Sequence, residues 1–364
     1  MMIALFIISC LFITLIVFSP WCISLMSAVK HKQDTYKGES ILKVSIILPA
    51  YNEEECIEEK LSNLKERSEE LMLDYEVLIG SDGSTDNTVK IANEFIARHR
   101  LANWKVFDFS NVGKCQTINR LVQQSTGECI LSTDCDTILH PFALHALVDM
   151  FQSNRSLGCI SSVPLYDLGE KSVQQRYWSI DLLIREKESE NGDLIVFNGW
   201  LYGFRKQAFE TIPTGVMADD LWIPISILLG GWQSMQCQES IVSCHRTDEE
   251  TELHKRCRVM AGGMDVVFRL FKRLLLSPVL LGTVFLHKIN RWLVSIWVPL
   301  GIISFFFAFV PFYIVVCLTL ILIFFFLSIA RLRNVIITII QPILAFFKVI
   351  SSKDLGRWDH AGRK

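Results

Sequence analysis

The chain has 364 residues, 51% of them hydrophobic, and a net charge of -2. That near-neutral balance excludes nucleic-acid binding through bulk positive charge, and the apolar content excludes a disordered chain. The 11 cysteines are scattered with no Cys-x-x-Cys pair, so they read as reduced thiols and not as a disulfide framework.

Residues Met2 to Met26 carry no charged side chain, which predicts a transmembrane helix over residues 1–27. No basic segment precedes it, as a cleaved signal peptide would require. Lys30, His31, Lys32 and Lys37 follow it, so the positive-inside rule places the next domain in the cytoplasm.

Residues 40–261 have the mixed composition of one soluble domain. "VSIILPAY" reads as a buried strand followed by an acidic helix, and "YEVLIGSDGSTDNT" as a strand running into a polar turn before a helix from Val89 to Arg98. "WKVFDFS" and "ECILSTDCD" read as two more strands separated by the helical "CQTINRLVQQS". This alternation predicts an α/β fold with a mostly parallel sheet and helices on both faces, binding ligands beyond the carboxyl ends of the strands.

Each of the four strands ends in a polar cluster: "AYNEE", "SDGSTDNT", "NVGK" and "DCD". Any one alone is an ordinary turn, but together they predict that Asn52, Asp82, Asp86, Lys114, Asp134 and Asp136 converge on one edge. Asp134 and Asp136, two apart on an extended segment, point the same way, with Cys135 facing the core. Two such carboxylates suit a hard divalent cation shared with a diphosphate, to which Lys114 adds positive charge. The Asp82 carboxylate suits the imide N–H of a uracil ring. Cys237, Cys244 and His245 fit no zinc spacing and read as packing residues.

Towards the C-terminus, "VVFRLFKRLLLSPVLLGTVFLHK" predicts interfacial amphipathic helices over residues 264–290, broken at Pro278. The uncharged run 292–330 predicts a transmembrane hairpin turning near Phe309, Val310 and Pro311, with Arg291, Arg331 and Arg333 on the cytoplasmic side. Residues 334–350 read as an interfacial, re-entrant or short transmembrane segment, and 351–364 as a basic cytoplasmic tail. The expected location is therefore the plasma (inner) membrane, multi-pass.

The succession "VSIILPAYNEE", "GSDGSTDNT", "NVGK", "STDCDT", "MADDLW", "HKINRW" and "GRW" resembles the family 2 glycosyltransferases, in particular the membrane-integrated synthases of cellulose, hyaluronan and poly-N-acetylglucosamine. The resemblance implies a GT-A type (Rossmann-like) fold in which Ala50, Tyr51, Glu53 and Asp82 line the nucleotide base site. Lys114 would lie near the donor, and Asp134 and Asp136 would be a DxD pair holding Mg or Mn. Asp220 matches the general base. Asp219 stands where the family has a glutamate beside the acceptor, or else caps the helix that follows. Trp200 and Tyr202 fall in the stretch matching the acceptor pocket, where they would stack on sugar rings, or are core aromatics. In place of the Gln-x-x-Arg-Trp of processive synthases stands "KRCRV", which keeps Arg256 and Arg258 for the diphosphate but lacks the tryptophan.

The implied activity is inverting transfer of a hexosyl or N-acetylhexosaminyl group from a nucleotide sugar, expected to be a UDP-sugar. The acceptor would be a lipid-linked sugar or saccharide at the cytoplasmic membrane face, in cell-surface polysaccharide or glycolipid synthesis. A processive polysaccharide synthase and a catalytically silent membrane scaffold are the alternatives. Membrane lipids are expected partners, nucleic acid is not, and oligomerisation is left open.

Overall fold

The computed structural model describes residues 2–27, 43–165, 173–244 and 249–309, together with three isolated positions. Apart from those positions, the expected segment 334–350, the tail 351–364 and the second half of the expected hairpin lie outside the described residues.

Among the described residues eight strands form one sheet: β1 (Lys43–Ala50), β2 (Asp74–Ser81), β3 (Trp104–Asp108), β4 (Cys129–Thr133), β5 (Thr137–Leu139), β6 (Leu157–Pro164), β7 (Leu201–Arg205) and β8 (Gln233–Cys244). The helices are α1 (Met2–Ser27), α2 (Ile57–Glu69), α3 (Thr88–His99), α4 (Lys114–Gln124), α5 (Ala143–Ser153), α6 (Val173–Glu190), α7 (Asp219–Leu229), α8 (Glu249–Leu274) and α9 (Pro278–Val284). A π-helical turn, Phe285–Ile289, continues α9 into α10 (Asn290–Trp292), and α11 (Val294–Phe309) follows.

The strand order is β3-β2-β1-β4-β7-β6-β8-β5. The β3-β2-β1-β4 half is parallel throughout. Beyond β4 the sheet departs from the mostly parallel expectation: β7 is antiparallel to both β4 and β6, β8 is parallel to β6, and β5 is antiparallel to β8. The fold is thus mixed α/β. The side-chain period of two explains why both faces of the parallel half are covered. Val44, Ile46 and Leu48 of β1 share a core with Ile57, Leu61 and Leu64 of α2 and Phe95 of α3. Ile47 turns the other way and joins Ile118 and Leu121 of α4 in a second core that extends to α7, α8 and α9.

Helix α1 packs against α11, with Phe12 stacked on Trp297 at a centroid distance of 4.1 Å. The outer faces of these helices expose Ile3, Ile7, Leu11 and Trp21, and Ile302, Ile303 and Phe307. No single helix among the described residues is long and apolar enough to cross a membrane. Two bent pairs are, by length and composition: Met2–Ile16 with Phe18–Ser24, bent by 70°, and Pro278–Trp292 with Val294–Ala308, bent by 62°. A buried ionic cluster fastens the second pair to the domain. His287 Nδ1 lies 2.7 Å from Glu188 and its Nε2 3.2 Å from Asp181, while Arg291 and Arg185 donate to Asp181 at 2.6 and 2.7 Å.

Candidate active site

The turns after β1 and β2 are laced together above the parallel half. Asn52, in a left-handed conformation, accepts from the Thr85 N–H at 2.8 Å; the Glu53 N–H donates to Thr88 Oγ1 at 2.8 Å and the Glu54 N–H to Asp86 at 3.1 Å. Burial pushes the Asp86 carboxyl up, but hydrogen bonds from the Thr88 hydroxyl and N–H outweigh it and hold the group below its usual value. The Glu53 carbonyl accepts from the Cys56 and Ile57 N–H groups and so starts α2.

Of the four residues expected around a nucleotide base, Tyr51 is half-buried, whereas Ala50, Glu53 and Asp82 are buried. Asp82 has no exposed surface, and its carboxylate accepts from the Val112 and Gly113 N–H groups at 2.8 and 2.9 Å and from the Thr117 hydroxyl at 3.0 Å. It therefore fastens the turn that opens α4. Gly113 is needed there because the backbone takes a φ of 92° as it enters the helix. Ala50 contributes through its carbonyl, which accepts from the Asp82 N–H at 2.8 Å.

Lys114, the first residue of α4, reaches the end of β4. Its ammonium lies 2.8 Å from Asp134 Oδ1 and 3.6 Å from Asp219 Oδ2. Burial works against its charge, but Asp134, Asp219 and Asp220 outweigh burial and hold the ammonium well above its usual value. Burial, with Asp136 and Asp219 nearby, pushes the Asp134 carboxyl up to about 6 despite Lys114. The Asp134 N–H donates to the Trp200 carbonyl at 3.2 Å, because the antiparallel register of β4 and β7 brings the residue after β4 beside the one before β7. Asp136 is partly exposed on the same turn, while Cys135 between them is buried in the core with its Sγ 3.7 Å from the Pro49 carbonyl.

Asp219 and Asp220 open α7, where negative charge is favoured by the helix dipole. Asp219 is only 4% exposed and does not cap the helix; it accepts a 2.7 Å hydrogen bond from the Tyr202 hydroxyl. Asp220 is less buried, and burial together with the Asp219 charge raises its carboxyl to about 6.

Two of the residues expected at the acceptor are buried. Tyr202 is 1% exposed and stacks on Phe197 at 4.9 Å, so it has no face for a sugar ring and instead orients Asp219. Asp219 is buried between Tyr202 and Lys114. Trp200 is half-buried against the core around α2 and β4. Arg258 is half-buried on α8, and the Arg256 side chain lies outside the described residues.

One residue escaped sequence reasoning. Lys60 of α2 is 2% exposed, and its ammonium donates to Thr133 Oγ1 at 2.8 Å and to the Thr137 carbonyl at 2.7 Å, beneath the Asp134–Asp136 turn. Burial lowers this ammonium to about 8, opposed by Cys135, Asp134 and Asp136. The signal was present: Lys60 lies on the helical stripe of Ile57, Leu61 and Leu64, where an unpaired lysine has no place.

With strand-end turns, a lysine-bridged acidic cluster and a raised carboxyl on one edge, the arrangement can bind a cation and a phosphate-bearing group and accept a proton. Residues 45–213 match the family described as Glycosyl transferase family 2. The match runs from β1 through β7, with Asp82, Lys114, Asp134 and Asp136 inside it. The chain is similar to the poly-beta-1,6-N-acetyl-D-glucosamine synthase of Staphylococcus epidermidis, 27% identical over 242 residues, which cover 63% of this chain and 56% of that protein. The enzyme of the same name from Staphylococcus aureus strain COL is 25% identical over 256 residues, 66% of this chain and 59% of that one. The chain thus spans less than two thirds of the length of these relatives. In fold it resembles the mannosyltransferase PcManGT from Pyrobaculum calidifontis, solved in complex with GDP-Man and Mn2+. The TM-score is 0.72 at 19% identity, with 97% of this chain and all of the other covered. The likeness extends to the mixed α/β, GT-A-like architecture, in which β7 is antiparallel although the strand-helix alternation did not predict it.

Proposed function

We propose that the chain is an inverting, metal-dependent glycosyltransferase. It moves a sugar from a nucleotide sugar, with a UDP-sugar as donor, to a hydroxyl of a lipid-linked or saccharide acceptor at the cytoplasmic face of the plasma membrane. The observation that carries this reading is the single ionic cluster in which Lys114 joins Asp134 to Asp219, with Asp220 alongside.

Asp134 and Asp136 are the metal ligands in this reading. No group of three or more His, Cys, Asp or Glu among the described residues forms a cage of its own. Two aspartate ligands suit Mg or Mn, which takes few protein carboxylates and completes its shell with phosphate oxygens and water. When bound, the ion would stabilise the charge on the departing nucleoside diphosphate. Lys114 is the cation at hand for the same phosphates. Asp220 takes the proton of the acceptor hydroxyl, and a carboxyl raised to about 6 is better matched to that task than an ordinary aspartate. Asp219 and Tyr202 hold the start of α7 in place. Tyr51 is the residue left to line the base, and Arg258 the arginine to approach the diphosphate.

The exposed Phe268, Phe271, Leu275 and Leu276, interspersed with Lys272 and Arg273, support an interfacial position for the end of α8. The uncovered apolar faces of α1 and α11 support membrane insertion beside it. The missing tryptophan of "KRCRV" favours one or a few additions over processive synthesis.

The test is release of nucleoside diphosphate by the purified full chain with Mn2+, a panel of nucleotide sugars and a membrane lipid extract as acceptor source. Turnover with one donor, abolished by Asp220→Asn, is expected. No turnover with any donor, together with full complementation of a deletion strain by Asp220→Asn, would leave the silent scaffold as the better reading.

A further inference from the structure

Helix α2 presents two polar side chains, one turn apart, to the segment that carries Asp134 and Asp136. Lys60 donates to the Thr133 hydroxyl on one side of that segment and to the Thr137 carbonyl on the other, at 2.8 and 2.7 Å. Asn63 pairs reciprocally with the backbone of Leu139: its amide donates to the carbonyl at 2.9 Å and its oxygen accepts from the N–H at 2.9 Å. The turn itself is closed by the Thr137 N–H donating to the Asp134 carbonyl at 3.3 Å.

An ammonium on the apolar stripe of α2 is expensive to bury, and a leucine there would bury more cheaply. Its two hydrogen bonds explain how the charge is tolerated; their location explains what it does. They flank the two aspartates, so a single side chain fixes both ends of the turn from beneath, while Lys114 meets Asp134 from above.

We propose that Lys60 is a positioning residue for the Asp134 and Asp136 clamp, holding the turn so that both carboxylates face one divalent cation. This rests on reading that pair as the metal site. The sign of the effect separates positioning from charge. Removing a buried cation near two carboxylates makes the site more negative and by charge alone tightens a divalent ion. Losing the two hydrogen bonds loosens the turn and weakens it.

The experiment titrates Mn2+ into the purified full chain in the presence of UDP, or of GDP if the parent binds that instead, and follows free Mn2+ by EPR. Lys60→Met, which keeps the length of the side chain, is expected to fold and to bind Mn2+ about ten-fold more weakly, as loss of an outer-shell contact does. Thr133→Val, which removes one acceptor, is expected to weaken binding by about three-fold on the same grounds. Affinity within about two-fold of the parent, or tighter, in Lys60→Met while Asp134→Asn abolishes binding overturns the proposal. If Lys60→Met does not fold, Thr133→Val decides alone by the same threshold. Parent-like Mn2+ binding by Asp134→Asn and Asp136→Asn sinks the clamp reading itself, and the proposal with it.

Discussion

Replacing Asp220 by asparagine should stabilise the protein while removing its activity. Burial and the neighbouring Asp219 raise the Asp220 carboxyl from 3.8 to about 6. A carboxyl whose folded value lies above its unfolded one holds its proton more readily when folded, so ionisation opposes folding above pH 6, and that opposition fades as the pH falls towards 4. Roughly two units at about 1.36 kcal/mol each set an upper figure near 3 kcal/mol. Partial exposure of Asp220 to solvent reduces this to about 1–2 kcal/mol at pH 8. Asparagine keeps the shape and lacks the charge, so the thermal unfolding midpoint in detergent should rise by roughly 2–6 °C at pH 8 and by about a third as much at pH 4.5. Turnover should drop by about 10²-fold or more with loss of the base. A midpoint unchanged or lowered at pH 8, or a gain of equal size at both pH values, would refute the reasoning.

The rate at saturating donor and metal should rise with pH to a plateau with a midpoint near 6, because the base must be ionised; a rate that declines between pH 5 and 7 contradicts Asp220 in that role. Tyr202→Phe keeps the ring stack and removes the 2.7 Å hydrogen bond to Asp219, so turnover should fall about ten-fold with little change in acceptor KM, whereas a sugar-stacking Tyr202 would leave turnover unaffected. Arg205 is buried, and its guanidinium donates to the Leu157 and Phe151 carbonyls at 2.8 and 2.6 Å. Arg205→Met should therefore destabilise by about 3 kcal/mol in a denaturation series, with nucleotide affinity in the surviving folded protein unchanged.

The parallel half was legible because its strands and helices obey simple periods and its chemistry lies in the turns between them. "VSIILPAY" is apolar without alternation since both faces are covered, and the four polar clusters fall where parallel strands end. The antiparallel half was not legible from the pattern, since "LYGFR" has neither the length nor the alternation to reveal its direction. Yet β7 decides what the site residues do. Lying beside β4, it ties Trp200 to Asp134 and sends the Tyr202 hydroxyl to Asp219, so an aromatic that suits a sugar pocket becomes a core residue. The burial of Asp82 is hidden for a similar reason: a carboxylate in an Asp-Gly-Ser turn suggests an outward-facing group, but the three donors around it come from residues 112–117, distant in sequence. Lys60 is masked by its surroundings in sequence, since its helix is rich in glutamate and a lysine in such a helix is ordinarily solvated.

The distribution of strain separates a working site from an inherited shape. Asp134, Asp219 and Asp220 lie together with one nearby lysine bridging them, and two of these carboxyls are raised to about 6. Asp181, by contrast, is paired with Arg185, His287 and Arg291, and although burial pushes it up, Arg185 and His287 hold its carboxyl well below the usual value. The fold can thus satisfy a buried aspartate where stability alone matters. At the edge above β4 it leaves carboxylates crowded, where a neutral residue would be more stable. A scaffold with no chemistry to perform would have no physical reason to keep that crowding, and a donor arriving with a divalent cation relieves it.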